Sequence, residues 1–238
     1  MADTVYEHQH ETLNVTLSNP LNAELGKSEA IGTIFNDDAG GMNDTGITTS
    51  VSHHDDLMGE DADYGRDVSQ ATNSNVDGHV GFSFTKLDAT GQPLLNQSVA
   101  YSIVPWSCVQ DEVTGLVWEV KGEAGSDSLH DAEHTYTWHN ASELEAKVNE
   151  EGLCGYINWR LPTLEELRSI VDYSIELPGP TIDTTYFPNT RSDLYWSDDT
   201  YVGAPYTAWL MSFRGAYDIA NFQSLGYHVR LVSSGNGL

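Results

Sequence analysis

The chain has 238 residues, with 36 acidic against 10 basic side chains and a formal net charge of −26. Nucleic acid, anionic membranes and heparin-like polymers need a basic footprint, so a chain this acidic would repel them. A hydrophobic fraction of 39% with 10% aromatics can fill a sizeable core in one or two domains and excludes a wholly disordered acidic polymer.

The 21 glycines and the abundance of Asp, Asn, Ser and Thr describe a loop-rich, β-leaning protein whose oxygen ligands suit hard cations, calcium first. MADTVYEHQH has neither a basic n-region nor an apolar h-region, and no run approaches the ~18 apolar residues of a membrane span. Neither a signal peptide nor membrane insertion is expected from these residues; an exported form would carry its signal further upstream. Cys108 and Cys154 leave two readings open: one bridge, worth roughly 2–4 kcal/mol in an oxidising compartment, or two buried thiols.

In chain order, residues 11–35 alternate with period two. Leu13, Val15 and Leu17 precede a turn over 18–23, and Ala30, Ile31, Ile34 and Phe35 follow it, which predicts a two-stranded hairpin ending at Asn36-Asp37-Asp38. The segment ETLNVTLSNPLNAELGKSEAIGTIFNDD resembles the C-terminal end of a Calx-beta repeat, an immunoglobulin-like sandwich of extracellular and adhesin proteins, with the earlier strands missing. The resemblance implies calcium binding by clustered carboxylates at one end of the sandwich, with Asn36, Asp37 and Asp38 as ligands. A lone hairpin is marginal in water, so residues 11–35 are expected to dock on a neighbour, to self-associate with another chain, or to stay loose. Residues 1–38 are read as this partial repeat.

Residues 39–79 read as an acidic linker or cap. Nine acids between positions 37 and 67 stand against Arg66, without a hydrophobic period. Asp61, Asp63 and Asp67 offer alternating carboxylates for calcium, although they lack the twelve-residue loop with a central glycine and a terminal glutamate of an EF-hand.

Residues 80–238 form the third region. A strand is predicted over 80–85 and a turn over 88–91. A helix follows over about 141–150, with Leu144 and Val148 on one face. A second helix opens on the capping box Thr163 to Glu166 and carries the stripe Leu164, Leu167, Ile170 and Val171. Beyond Pro178 the pattern turns to short strands near 194–196, 207–213 and 227–232. Strands, two helices, then loop-rich strands argue the α+β class.

The segments WSCVQDEVTGLVWEVK (106–121), HTYTW (134–138), CGYINWRLPTLEELRSIVDYS (154–174), PTIDTTYFPNT (180–190), YWSDDTY (195–201), TAWLMSF (207–213) and HVRLV (228–232) occur in order. Together they resemble the DUF1566 family, also called the Lcl C-terminal domain after a collagen-like bacterial adhesin. DYGRD (63–67) and GHVGFSFTKLDATGQPL (78–94) resemble the lead-in that often precedes it. The resemblance implies a C-type-lectin-like fold related to formylglycine-generating enzymes, found in exported bacterial proteins, with glycan adhesion as the role. It also implies a Cys108–Cys154 disulfide. Trp118, Trp159 and Trp209 are expected in the core, since a buried indole fills a large volume and needs only one hydrogen-bond partner.

Two catalytic readings are weighed against their context. His130-Asp131-Ala132-Glu133-His134 fits the H-x-x-E-H zinc pattern, but that pattern requires a helix. Glycines precede it and the β-prone Thr135-Tyr136-Thr137-Trp138 follows, so a solvated loop is expected. A formylglycine-type oxidase would need a reactive cysteine, whereas both cysteines lie in scaffold motifs; nucleophile-elbow, P-loop and dinucleotide fingerprints are absent from the sequence. A non-catalytic module is therefore expected.

Ligand recognition is expected on Trp196, Asp198 and Asp199 and on a loop over 214–221 with Arg214, Tyr217 and Asn221. Aromatic faces beside carboxylates, an amide and a guanidinium suit sugars, whose C–H faces stack on rings while hydroxyls meet polar groups. The net charge of −26 speaks against sulfated chains. The sequence thus predicts an extracellular adhesion domain for a neutral glycan or a surface protein, with a structural module assembling through the hairpin as the alternative.

Overall fold

The computed structural model describes residues 11–16, 29–34, 43, 45–47, 65–66, 74–126 and 128–235. The chain divides into two units, Met1–Met42 and Asn43–Leu238. In the first, β1 (Glu11–Thr16) and β2 (Glu29–Ile34) pair antiparallel, with Glu11 opposite Ile34 and Thr16 opposite Glu29. This is the hairpin that the alternation predicts; its turn and the Asn36-Asp37-Asp38 stop lie outside the described residues.

The second unit is α+β. One antiparallel sheet has the order β3 (Phe84–Leu87), β4 (Cys108–Asp111), β5 (Val117–Glu119), β9 (Val232–Ser233). The other runs β6 (Leu194–Thr200), β7 (Thr207–Ser212), β8 (Tyr217–Phe222). Between them in sequence lie α1 (Trp138–Glu151) and α2 (Leu164–Arg168).

Both helices start where local chemistry satisfies their orphan amides. Thr137 Oγ1 accepts from Asn140 N ahead of α1, and Gly152, at φ 69°, closes it with an N–H to Val148 O. The face of α1 that enters the core carries Ala141, Leu144 and Val148, spaced for one side of a helix. The predicted capping box is present at α2: Thr163 Oγ1 accepts from Glu166 N while the Glu166 carboxylate accepts from Thr163 N. The stripe outlasts the helix, however. Ser169 Oγ donates back to Glu166 O, and Ile170 N and Val171 N donate three residues back, to Leu167 O and Arg168 O, as in a 3₁₀ turn. A serine hydroxyl competing for backbone groups favours such an ending, and both side chains still reach the core.

The core lies in two clusters. Val109 and Trp118 join one with Phe84, Leu167 and Met211. Their sheet neighbours Cys108 and Val117 join the other with Leu144, Trp159 and Trp196. The four-stranded sheet is therefore covered on both faces, and β5 is buried at every residue. Cys108 and Cys154 form a disulfide that ties β4 to the turn after α1. Gly91 packs against that turn so closely that a Cβ would collide with Cys154 O, at a φ of +80°. Only glycine fits both demands.

Several expectations are corrected. The first strand of this unit begins at Phe84, because Phe82 N turns back onto His79 O and Gly81 takes φ 85°. Residues 227–232 make bridges to three different neighbours, Tyr136, Tyr195 and Arg160, and only 232–233 form a strand. The presumed loop over 214–221 is a turn followed by β8, whose β-prone Tyr217, Ile219 and Phe222 pair with β7. Trp118 and Trp159 are core, whereas Trp209 is only partly buried.

A charged knot sits beneath β5. The carboxylate of Glu119, fully buried, accepts from Lys121 Nζ at 2.8 Å and Leu231 N at 2.9 Å and lies 2.7 Å from His130 Nδ1. Burial would raise its pKa, but Lys121 and His130 outweigh that and hold it well below the usual range. His130 also reaches Glu151 at 3.3 Å. The H-x-x-E-H segment is thus a turn pinned to β5 and α1 rather than a helix.

Candidate functional site

The residues singled out for ligand binding separate onto the two edges of the three-stranded sheet. β7 lies between β6 and β8, which places their backbones about 10 Å apart. At the β6 edge, Trp196 is buried at 0% exposure; its Nε1 donates to Tyr136 O at 2.8 Å and its ring meets Tyr227 edge-on at 5.1 Å. Trp196 is therefore a core residue and not a ligand contact. Asp199 Oδ2 accepts from Leu164 N at 2.6 Å, so it serves the start of α2. Asp198 is exposed, its backbone N–H bound to Pro162 O. Partial burial and the adjacent Asp199 raise its pKa, against the pull of Arg160. Arg160 itself is forked onto Glu166 at 2.8 and 2.6 Å.

At the β8 edge, Arg214 is exposed in the turn and Tyr217 is 51% exposed. Asn221 is engaged on both ends of its amide: Nδ2 donates to Tyr227 Oη at 2.7 Å, and Oδ1 accepts from Phe222 N at 2.9 Å. Of the proposed set, Asp198, Arg214 and Tyr217 remain available at the surface. The candidate calcium ligands Asn36, Asp37, Asp38, Asp61, Asp63 and Asp67 lie outside the described residues. Among the described residues no three His, Cys, Asp or Glu side chains converge on a metal position, and no helix is long and apolar enough to cross a membrane.

What the sheet does bring together is an aromatic shelf. Thr207 pairs with Phe222 and Trp209 with Ala220, so Trp209 and Phe222 share one face of the sheet. Tyr201, whose N–H donates to Thr207 O, stands edge-on to Trp209 at 5.2 Å. Phe222 is 60% exposed and Tyr201 is 40% exposed. Further along the same face, Asp218 accepts from Arg168 at 2.9 Å. Exposed rings beside a polar pair make a surface on which an apolar face can stack while neighbouring hydroxyls find donors and acceptors. The signal available in the sequence was the period-two spacing of Thr207 and Trp209 and of Ala220 and Phe222, but it needed the β8 pairing to be read.

The model of the Lcl C-terminal domain family matches residues 107–233, a span that takes in β4 to β9 and both helices. No curated protein matches the chain. With more than half of its length inside that match, the chain belongs to the Lcl C-terminal domain family.

Proposed function

We propose that the Asn43–Leu238 unit is a non-catalytic adhesion module of an exported bacterial surface protein, C-type-lectin-like in architecture, which holds a neutral glycan or a protein surface. The observation that carries this reading is the shelf of Tyr201, Trp209 and Phe222, with the Arg168–Asp218 pair on the same face. Large rings left in water by an otherwise well-filled fold mark interaction surfaces. A disulfide suits an oxidising compartment, and the charge of −26 favours neutral or cationic partners over sulfated ones. Calcium is proposed at two separate places, Asn36, Asp37 and Asp38 after the hairpin and Asp61, Asp63 and Asp67 in the acidic stretch.

A glycan array probed with the full chain, with and without calcium, tests the reading. Uncharged glycans should bind, and Tyr201→Ala with Phe222→Ala should reduce binding at least tenfold while leaving the melting temperature in place. Equal binding by the double variant would move the site away from the shelf, and silence on every glycan and surface protein tried would reject adhesion.

A second reading rests on the hairpin. β1 and β2 form a two-stranded sheet, which buries too little to be stable alone, so the final strands of a Calx-beta sandwich would gain by pairing with another copy. Sedimentation velocity across a hundredfold concentration range would show a dimer if this holds. Val15→Pro, which removes a ladder donor, should then abolish it.

A further inference from the structure

Strand β8 leaves one edge of its sheet open. It pairs with β7 in an unbroken register, from Thr207 opposite Phe222 to Ser212 opposite Tyr217, and among the described residues no strand lies beyond it. Gln223 N donates to Tyr206 O. By the alternation of an antiparallel ladder, Tyr217, Ile219 and Asn221 then bond β7, while Asp218, Ala220 and Phe222 turn their N–H and C=O groups outward. Phe222 satisfies its own groups, its N–H donating to Asn221 Oδ1 and its carbonyl accepting from Leu225 N. The backbone groups of Asp218 and Ala220 meet no partner among the described residues.

Edge strands are ordinarily blunted by lysine, proline, bulges or unpaired charges. β8 reads YDIANF, without lysine or proline and without a shift of register, unlike β6, which shifts between Trp196 and Thr200. Its one charge, Asp218, is paired with Arg168 at 2.9 Å, and Tyr217, Ile219 and Phe222 are exposed along it. Only another strand can satisfy such an edge, and two observations select a second copy of this one. With 36 acidic against 10 basic residues, most approaches between copies are repulsive, but here the carboxylate is already neutralised. The open groups are also self-complementary. About a two-fold axis at Ile219, Asp218 of each copy stands opposite Ala220 of the other, and the two exchange both backbone bonds. Every open group on the edge is then used, Asp218 faces a methyl group rather than its own carboxylate, and Ile219 meets Ile219.

We propose that two copies of this chain join β8 to β8 in that register, as a two-fold dimer with one continuous sheet. Residues opposite each other in a ladder share a face, so both aromatic shelves come to lie on the same side. The pairing buries far less than the ~1,600 Å² of a standard interface, which places association in the micromolar to millimolar range. The test uses the full chain. Ile219→Cys puts two thiols about 4.5 Å apart between Cα atoms, as in a non-hydrogen-bonded pair, and mild oxidation should give a covalent dimer on a non-reducing gel. Tyr217→Cys, which faces Asn221 across the axis, should give at least tenfold less. In sedimentation equilibrium up to about 1 mM, Ile219→Lys should weaken the dimer at least tenfold with an unchanged melt, whereas Val15→Pro in the hairpin should leave it intact. A chain monomeric throughout, equal cross-linking of the two cysteine variants, or a dimer that Val15→Pro abolishes and Ile219→Lys spares would each overturn the proposal.

Discussion

Asp111 illustrates how one buried side chain sets a pH dependence. Its carboxylate accepts from Val113 N, Thr114 N and Asn43 Nδ2. Burial nonetheless pushes its pKa up to about 6, against the pull of those hydrogen bonds. Between about pH 4, where an unfolded aspartate titrates, and pH 6, the folded form binds more protons than the unfolded form. Stability contributed by this group therefore falls as pH rises through that window, by about 2–3 kcal/mol in all. Asp111→Asn cannot titrate, and the buried Asn43 Oδ1, which lacks a hydrogen-bond partner among the described residues, can take its amide. The stability of the variant relative to wild type should rise by that amount from pH 4 to pH 7 in urea unfolding; parallel profiles would refute this. Trp196 makes the complementary case. Trp196→Ala should cost roughly 3–5 kcal/mol as a large-to-small core change, whereas Phe222→Ala should stay within about 0.5 kcal/mol as a surface change, both read from denaturant midpoints.

At the scale of elements, α2 is short and depends on its first turn. Thr163, Glu166 and Asp199 all bind its leading amides, with Asp199 reaching in from β6. Thr163→Ala and Asp199→Ala should each cost about 1 kcal/mol, as lost caps do, and the double variant should exceed either single one. A thermal melt of Asp199→Ala superimposable on wild type would show that the contact from β6 is dispensable. The same elements explain what could be read in advance. Both helices were legible because caps and a one-sided apolar face are local signals. β4 and β5 were not, because Cys108, Val109, Val117 and Trp118 are buried on both sheet faces, which erases the period-two alternation. β8 reads as a loop because an edge strand with Tyr217, Ile219 and Phe222 left in solvent shows no buried face to give it away. The ligand set divides for a related reason: Trp196 and Asp199 belong to one short polar-aromatic string, yet one serves the core and the other caps a helix.

For the whole molecule, the charge of −26 is a standing repulsion that the folded state must tolerate. If the acidic stretch from 37 to 67 takes up calcium, binding to the folded form raises stability by mass action. The melting temperature should then be higher in millimolar calcium than in EDTA, and magnesium at equal ionic strength should do less; identical melts would reject a structural calcium site. The sheet that unites the two core clusters adds a consequence of another kind. Its strands β3, β4 and β5 come from the early part of the second unit, but its last position is filled by Val232 and Ser233, opposite Trp118 and Val117. Pairing across so long a stretch of chain is slow because the intervening loop must first be closed. During synthesis, the scaffold therefore remains unlatched until almost its final residues have emerged, and a ribosome stalled only a few codons short of Val232 would leave Trp118 without the strand that seals it.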